Sequence, residues 1–487
     1  MPGPAPLFPA TRRRLLALLL AAGVAGACAS NPVSGRREVS FMSEADEIAI
    51  GRQGDAEIRR EMGVYADEEL QRYVSGVGER IAQVSHRPSL PWTFTVVDVP
   101  AVNAFALPGG YIYVTRGLLA HLGDEAELAG VLGHEVGHVT ARHAAQQYTR
   151  STTGGLGVLL ASIFVPGVRP FSDLASVGLG TFFLKYGRDD ELESDRLGVE
   201  YAAKAGWDPE SVPRFLATLS RLDVMSARGV PNWLSTHPDP GSRVAKAAPV
   251  AATFAAGEHE RNRDDFLRRI DGLAYGDDPS EGVVRGHRFL QPDMRIAIDF
   301  PEGWDVQNGS DQVVAQPDGD KLLMLLRTAD SARGADLAGG AKKHMKSLGF
   351  TFERGALQAV SGLDAFVGEY RGKAKDVGNV RIRAAHVAVG RQVYMVAGVA
   401  PEAEFPRADA DFTAALASFR ELSAREAGAI RPNRVALYES KAGDSWQSIA
   451  QRAGGGLVPA TRLALMNGYA VNQQPPTGTR LKIVVEG

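Results

Sequence analysis

His134-Glu135-Val136-Gly137-His138 lies within a run of helical periodicity from about Asp124 to His143. Imidazoles four residues apart project from one face of a helix at a spacing that suits one metal ion, and zinc is the ion this pattern predicts. Glu135 lies roughly 100° around the helix from His134, so it can act on water without ligating the metal. It is the predicted general base. A chance match is disfavoured by the helix-capping Asp124 and by a predicted hairpin upstream.

A catalytic zinc site needs a third protein ligand and one open position. The pattern with a third histidine six residues after the second is excluded, because Ala144 stands there. His143 is nine residues from His134, which places it on roughly the opposite helical face. We therefore expect His143 to be structural.

An acidic cluster opens the next predicted helix with the sequence Arg188-Asp189-Asp190-Glu191-Leu192-Glu193-Ser194-Asp195. Glu191 is the natural candidate for the third ligand. Asp195, one turn further, could accept the outward N–H of a ligating histidine. Spacing alone leaves an alternative open, in which the cluster is a solvated run of charge. Gly198 lies on the same helical face as Glu191 and Asp195 and permits the close approach of another helix.

These motifs follow the segment Asn103-Ala104-Phe105-Ala106-Leu107-Pro108-Gly109-Gly110. The combination resembles the CAAX prenyl protease and heat-shock membrane protease family of gluzincin zinc metallopeptidases, over about residues 41 to 250. The resemblance implies that Glu191 ligates the metal and that Asp195 supports the site. It also implies that Asn103, Ala104, Phe105 and Ala106 form an edge strand beside the zinc, to which a substrate peptide adds as a further strand.

Two further site residues are implied by the same resemblance. Thr236-His237-Pro238, followed by Arg243, supplies candidates for the donor that steadies the oxyanion. His237 has a second role open to it, as a latch whose imidazole fills the fourth metal position until substrate displaces the loop. The third alternative is a surface histidine that packs against proline.

The amino terminus predicts export and lipidation. Residues Thr11 to Ala27 run from arginines through an apolar stretch to small residues, as in a signal peptide. Cys28 is the only cysteine, so it cannot close an internal disulfide, and Ala25-Gly26-Ala27-Cys28 resembles a lipobox. The alternative is a cleaved signal with an incidental cysteine. Ala29 follows where inner-membrane lipoproteins carry aspartate, so the pattern implies a periplasmic protein anchored by lipid to the outer membrane.

Several other segments predict secondary structure. Helical periodicity marks Ser43 to Met62 and Asp67 to Val84, and Trp92 to Val97 alternates as a strand. Asn103 to Thr115 predicts a hairpin that turns at Pro108-Gly109-Gly110. Two apolar stretches, Leu156 to Val168 and Leu174 to Leu184, are too short to span a bilayer, so we expect buried helices or a hairpin that touches lipid or a partner.

The chain of 487 residues is long enough for roughly two to four domains. We expect a multidomain protein: a mainly α-helical, zincin-type (α+β) peptidase domain, an α+β domain that resembles PsbP through Phe300-Pro301-Glu302-Gly303-Trp304, and a LysM-like βααβ module. Within the second domain, strands surround one helical stretch near Ala341 to Ser347. The predicted segments are a signal peptide (1–27), a linker (28–42), the peptidase domain (43–255), a polar linker (256–286), the PsbP-like domain (287–421), a linker (422–433) and the LysM-like module (434–487).

The resulting expectation is a zinc-dependent endopeptidase that acts on extended or misfolded polypeptides in outer-membrane protein quality control, where the assembly machinery is a candidate partner. A net charge of −3 gives no basic field for nucleic acid. One alternative is a chaperone or assembly factor with a largely latent zinc site. Another is a cell-wall peptidase held on peptidoglycan by the LysM-like module, whose Trp446 and Tyr469 are candidates for stacking on sugar. The edge-strand motif favours extended polypeptides.

Overall fold

The computed structural model describes residues 28–153, 186–225, 233, 237–276, 279–280, 282–309, 312–317, 319, 321–329, 336–374 and 377–487. The chain forms two compact units. The first contains the described residues up to Tyr275 together with Arg434–Val485, and the second contains the intervening residues with the last two of the chain. The C-terminal module therefore belongs to the same unit as the predicted peptidase domain.

The first unit is mainly helical. Its helices before the C-terminal module are α1 (Glu44–Glu61), α2 (Glu68–Val84), α3 (Arg116–His121), α4 (Glu125–Thr140), α5 (His143–Thr153), α6 (Arg188–Lys204), α7 (Ser211–Met225), α8 (Pro240–Thr253) and α9 (Arg263–Arg269). Ser43 and Asp67 cap α1 and α2, because their side chains accept backbone N–H groups of the first turn. Both helices are where the sequence periodicity predicts them.

A small sheet lies beside these helices. It contains β3 (Thr93–Val97), β4 (Ala104–Leu107) and β5 (Tyr111–Thr115) in the order β3-β5-β4, so β4 is an edge strand. The hairpin of β4 and β5 turns at Pro108-Gly109-Gly110 as predicted, and both glycines have positive φ values of 82° and 102°. A short two-stranded sheet, β1 (Cys28–Ser30) with β2 (Arg37–Val39), precedes α1.

The helix that carries the His134 motif is shorter than predicted. Asp124 caps α4 as expected, but α4 ends at Thr140, and a new helix, α5, begins at His143. Arg142 breaks the run with a left-handed φ of 61°, and its guanidinium pairs with the buried Glu47. His143 consequently does not lie nine helical steps from His134.

Helices α4 and α6 pack with their backbones in contact. A Cβ on Gly133 would lie 3.0 Å from the carbonyl oxygen of Gly198, and a Cβ on Gly198 would lie 3.0 Å from the backbone nitrogen of His134. A Cβ on Gly137 would similarly lie 3.2 Å from the Cα of Ser194. The contact that the sequence indicates at Gly198 is present, and larger residues would separate the two helices.

The second unit is built on antiparallel sheets. Its strands are β7 (Val283–Arg285), β8 (Arg288–Gln291), β9 (Ile296–Asp299), β10 (Asp305–Asn308), β11 (Gln312–Gln316), β12 (Leu323–Thr328), β13 (Thr351–Val360), β14 (Leu363–Ala374), β15 (Gly378–Val389), β16 (Gln392–Pro401) and β17 (Arg420–Glu421). One sheet has the order β10-β11-β12-β16-β15-β14-β13, and another has the order β17-β9-β8-β7. Helix α10 (Leu337–Ser347) contains the predicted helical stretch. The prediction of one helical stretch in this domain was wrong, because α11 (Phe405–Ser418) also forms and buries Phe412 against the sheet.

The C-terminal module has the predicted strand, helix, helix, strand order. It follows α12 (Ala424–Ala429) of the second unit and consists of β18 (Asn433–Glu439), α13 (Trp446–Arg452), α14 (Ala460–Met466) and β19 (Arg480–Val485). Strand β18 also pairs with β6 (Ala274–Tyr275) of the first unit. Trp446 is buried and donates its indole N–H to the carbonyl of Gln473, so its ring belongs to the core of the module.

One lysine of this module is buried in the first unit. Lys482 is 1% exposed, and its ammonium group donates to the carbonyls of Ala120 and Leu122, just before α4. Burial lowers the pKa of Lys482 to about 7. The module is thus attached to the segment that leads into the metal-binding helix.

None of the helices among the described residues is long and apolar enough to cross a membrane. The predicted apolar stretches at 156–168 and 174–184 lie outside the described residues, as does the predicted signal peptide at 1–27.

Gly198→Val should force α4 and α6 apart, because the added carbons meet backbone atoms that cannot rotate away. We expect a loss of stability of roughly 1–3 kcal/mol and a lower zinc content, measured by thermal unfolding and metal analysis. Gly76→Val in α2 is the matched control, since a Cβ there meets no atom within 4 Å. Wild-type stability and zinc content in Gly198→Val would contradict the proposed importance of this contact.

Candidate metal centre

Four buried side chains converge between α4, α6 and the segment that precedes α8. His134, His138, Glu191 and His237 each offer one ligand atom, and these atoms lie within 4.8 Å of one another. The Nε2 atoms of His134 and His138 are 3.0 Å apart, and Glu191 Oε1 is 3.5 Å from His138 Nε2. His237 Nδ1 is 3.0 Å from Glu191 Oε1. The structure thus brings together the three predicted ligands and the predicted latch residue.

Asp195 fixes the orientation of His134. His134 Nδ1 lies 3.0 Å from Asp195 Oδ1, so this nitrogen can donate its hydrogen and leave the Nε2 lone pair for a metal. Arg243 donates to both oxygens of Asp195, at 2.6 and 2.8 Å. Although burial opposes ionisation, Arg243 holds the pKa of Asp195 well below its usual range. The aspartate is therefore a charged acceptor in the position expected for it.

His138 is supported by a pair of residues whose role the sequence analysis missed. His138 Nδ1 lies 3.0 Å from His143 Nδ1, and His143 Nε2 lies 3.2 Å from Glu193 Oε2. If Glu193 accepts from His143, then His143 Nδ1 can accept from His138. His143 reaches this position only because the chain breaks at Arg142, and helical periodicity carries no signal of that break.

The donor set fits zinc. In His134 and His138 the Nδ1 atom is hydrogen-bonded outward, so the Nε2 lone pairs point towards each other and towards the Glu191 carboxylate. A bound cation would remove the repulsion between these lone pairs. Burial alone would raise the pKa of Glu191, but His237 and Arg243 outweigh it and lower the pKa. The glutamate is therefore available as an anionic ligand, and two imidazoles with a carboxylate are ligands that zinc accepts.

Glu135 lies against this cluster without being part of it. Both carboxylate oxygens are buried, and neither has a hydrogen-bond partner within the described part of the chain. Its Oε1 is 3.6 Å from His237 Nε2, and burial raises the pKa of Glu135. Because a buried carboxylate without a hydrogen bond is costly, this group is a candidate for a functional role towards water or substrate.

His237 closes the remaining side of the cluster. Its ring stacks on Trp233, with centroids 4.6 Å apart and planes 23° apart. The backbone N–H of Trp233 donates to the carbonyl of Val102, the residue before the predicted substrate-binding segment. Burial acts to lower the pKa of His237, but Glu191 and Glu135 raise it overall. This histidine and its neighbouring tryptophan thus engage both the ligand cluster and the chain beside β4.

Arg243 has a different setting from the one predicted. Besides its bonds to Asp195, its Nη1 is 2.6 Å from Glu191 Oε2, and the guanidinium lies over the ring of Trp233. The arginine is 1% exposed. Because its charge is directed to these two carboxylates, Arg243 supports a ligand group and an acceptor group in this structure. Its role as an oxyanion donor stays a prediction.

The predicted substrate-binding segment is buried in this structure. Ala104, Phe105 and Ala106 lie in the edge strand β4, which packs against α4. A cavity of only about 10 Å³ remains between Ala106, His138 and Tyr186. The side-chain amide of Asn103 is buried and has no partner among the described residues. Little space is therefore left between these residues among those that the structure describes.

Part of the chain is similar to a known peptidase family and to known proteases. Residues 68–250 match the model of Peptidase family M48. The chain is 31% identical over 275 residues to a putative beta-barrel assembly-enhancing protease of Vibrio cholerae, covering 54% of this chain and 57% of the relative. It is 29% identical over 284 residues to the beta-barrel assembly-enhancing protease of Escherichia coli K12, covering 55% and 58%.

A third relative is the mitochondrial metalloendopeptidase OMA1 of Arabidopsis thaliana, 35% identical over 185 residues, with 38% of this chain and 36% of the relative covered. The chain spans little more than half the length of the two bacterial relatives. With the buried cluster, these matches confirm the prediction of a zinc metallopeptidase domain.

The chain is also similar, at a low level, to solved structures. The solution structure of cyanobacterial PsbP from Synechocystis sp. PCC 6803 matches with a TM-score of 0.23 and 14% identity, over 28% of this chain and 95% of that chain. The PsbP-like fold of the second domain and the LysM-like identity of the C-terminal module stay predictions.

Glu191→Ala should leave the chain with far less zinc than the wild type, because it removes the anionic ligand. Glu193→Ala should retain zinc but weaken its binding by roughly 10–100-fold, since it removes only the support of His143. Metal analysis and competition with a chelator measure both effects. Loss of zinc from Glu193→Ala with normal binding in Glu191→Ala would mean that the wrong carboxylate has been assigned to the metal.

Proposed function

We propose that the protein is a periplasmic zinc endopeptidase that cuts extended or misfolded polypeptides in outer-membrane protein quality control. The observation that carries this proposal is the buried cluster of two histidines and a glutamate. Beside it lie an edge strand and Glu135, whose carboxylate has no hydrogen-bond partner among the described residues. The printed names of the bacterial relatives, beta-barrel assembly-enhancing proteases, support the quality-control setting. Unfolded outer-membrane proteins are the proposed substrates, and the assembly machinery is a proposed partner.

His134, His138 and Glu191 would hold the zinc, which when bound supplies a Lewis acid for the scissile carbonyl and lowers the pKa of water. Glu135 takes a proton from the attacking water and later passes it to the leaving amine, since its free carboxylate faces the cluster and accepts no other hydrogen bond among the described residues. Asp195 and Arg243 keep His134 and Glu191 oriented. Strand β4 aligns the substrate main chain as an added strand.

His237 acts in this proposal as a latch. It occupies the side of the cluster where a catalytic site of this class keeps an open position. Trp233 connects it to Val102 at the start of the substrate-binding segment. If a substrate strand displaced Trp233 and His237, the ligand cluster would lose His237 and the edge of β4 would become free for pairing at the same time. The little space left beside His138 among the described residues supports the same conclusion.

The little space beside the cluster also favours a second candidate function, a chaperone or assembly factor whose metal site is largely latent. Both candidates bind unfolded polypeptides, but only the peptidase needs Glu135. A cell-wall peptidase is less well supported, because the indole of Trp446 is buried and cannot stack on sugar in this conformation.

Glu135→Gln should abolish proteolysis and keep zinc, because the side chain acts on water and does not ligate the metal. We expect casein hydrolysis to fall by roughly 10²–10⁴-fold, the usual contribution of a general acid–base group. Glu210→Gln, at an exposed position, is the control. Unchanged hydrolysis in Glu135→Gln would refute the enzymatic assignment, and inactivity of the wild type with intact binding of unfolded protein would favour the chaperone.

His237→Ala should raise basal casein hydrolysis, since it removes the latch while the three proposed ligands remain. His259→Ala, which alters a histidine outside the cluster, should leave the rate unchanged. A fall of roughly 100-fold in His237→Ala would instead indicate an oxyanion donor. A variant equal to the wild type in both hydrolysis and zinc affinity would exclude both active roles.

We further propose that a lipid on Cys28 anchors the protein in the outer membrane. Cys28→Ser should move the protein from the membrane fraction to the soluble periplasmic fraction, because stable anchoring needs more than one lipid chain and a lipidated amino-terminal cysteine supplies them. Immunoblots of the two fractions measure the change. Continued membrane association of Cys28→Ser would show that another segment provides the anchor.

A further inference from the structure

Among the described residues, strand β13 is an edge of the large sheet in the second unit that no other strand pairs with on its outer side. In the sheet order it lies at one end, and β14 is its ladder partner among the described residues. Alternate residues of an edge strand turn their N–H and C=O groups away from the sheet, where they can pair with another strand. At ten residues, β13 is long for an edge strand.

The features that normally block such an edge are confined to the first half of β13. Glu353 and Arg354 carry charges there, and the ladder to β14 shifts between Phe352 and Arg354. The segment Gly355-Ala356-Leu357-Gln358-Ala359-Val360 has neither charge nor proline. It is exposed as far as Ala359, and Leu357 is 65% exposed. This half of the strand is therefore open to pairing.

A cavity of about 560 Å³ adjoins the same half of the strand. Ala356 lies opposite Val367 of β14 in the ladder, so both side chains lie on the face that α11 covers. The helix contributes Thr413, Leu416 and Ala417 to the cavity wall. The space exists because Ala356 is too short to fill it, and its volume lies in the range of ligand-binding cavities.

At the polar end of this cavity, the arginine side chains are paired with carboxylates of the same unit. Glu369 is 4% exposed, and it accepts hydrogen bonds from Arg354 at 2.6 Å, from Arg383 at 2.9 Å and from Arg381 at 2.9 Å. Arg383 also binds Asp409. These pairings leave the arginines committed to carboxylates, so the cavity is poorly suited to a small anion. Its remaining wall suits an apolar side chain.

We propose that β13 binds an extended segment of another polypeptide as an added strand along Gly355–Val360, with a large apolar side chain of that segment in the cavity beside α11. Main-chain hydrogen bonds would provide affinity, and the cavity would select the side chain. Only the identification of the bound polypeptide as a substrate rests on the proposed peptidase function.

A second copy of this chain fits the site less well. If the β13 strands of two copies paired antiparallel about a two-fold axis, the faces covered by α11 in the two copies would lie on the same side of the joined sheet. Within Gly355–Val360 the second copy would then offer Ala356, Gln358 and Val360 to the α11 side. Val360 is already buried in the core of its own unit, and the other two side chains are too short or too polar to fill about 560 Å³. A partner with large apolar residues at alternate positions satisfies both the edge and the cavity.

The test measures binding of a fluorescent ten-residue peptide with alternating threonine and phenylalanine to the full chain carrying Glu135→Gln, which cannot cut the probe. The matched probe is the same peptide N-methylated at alternate amides, which cannot pair as a strand. We expect the unmodified probe to bind at least about tenfold more tightly by fluorescence anisotropy, and Ala356→Phe to weaken its binding by about tenfold. Leu357→Phe adds bulk on the opposite face and should leave the side chain's entry to the cavity unchanged.

Hydrogen exchange gives a second readout that needs no variant in β13. Amides of residues 355–360 should exchange more slowly when the unmodified probe is added, and not with the N-methylated probe. Equal binding of the two probes, unchanged exchange in β13, or binding insensitive to Ala356→Phe would overturn the proposal. A dimer that Ala356→Phe dissociates, without probe binding, would also overturn it in favour of a second copy. Probe binding, together with a wild-type chain that does not cut casein, would uphold this site and refute the peptidase function.

Discussion

The metal centre depends on the backbone contact between α4 and α6. Gly133 and Gly198 let the helices approach until a Cβ on either would lie 3.0 Å from backbone of the other. At this separation Glu191, in the first turn of α6, reaches the nitrogens of His134 and His138. The separation of two ligand-bearing helices therefore fixes the size of the ligand cluster, and the histidine spacing alone could not do so.

Most charged and polar groups of the buried site have a partner next to them. Glu191 and Asp195 share Arg243, and the Nδ1 atoms of His134 and His138 are each occupied by an outward partner. These contacts leave lone pairs and one carboxylate facing inward, which is a costly arrangement unless a cation is bound. Glu135 is the exception, because its carboxylate is buried without a hydrogen-bond partner in the described residues and has only the longer contact with His237. The unbalanced group is the one proposed to perform the chemistry, which is where such a cost is expected.

The sequence predicted the local features of this site and missed those that depend on distant contacts. Periodicity located α1, α2 and α4, and spacing identified His134, Glu135 and His138, because these signals lie within one helix. The break at Arg142 depends on Glu47, nearly one hundred positions earlier in the chain, so the role of His143 could not be predicted. The burial of Trp446 and Lys482 likewise depends on contacts formed only in the folded unit. Helix α11 was missed because the sequence around it is rich in strand patterns. Its buried residues pack against a sheet whose strands come from distant parts of the chain.

The two edge strands differ in what must happen before another chain can pair with them. Strand β4 is buried, and Trp233 donates to Val102 at its start, so pairing there requires a segment of the chain to move first. Strand β13 is exposed over most of its length and has an open cavity beside it, so pairing there requires no such displacement. Binding at β13 would therefore be controlled by the affinity of the partner alone, whereas binding at β4 would be reduced by the cost of opening the site. Under the two proposals, binding at β13 does not by itself lead to cutting, because cutting requires the further displacement at β4.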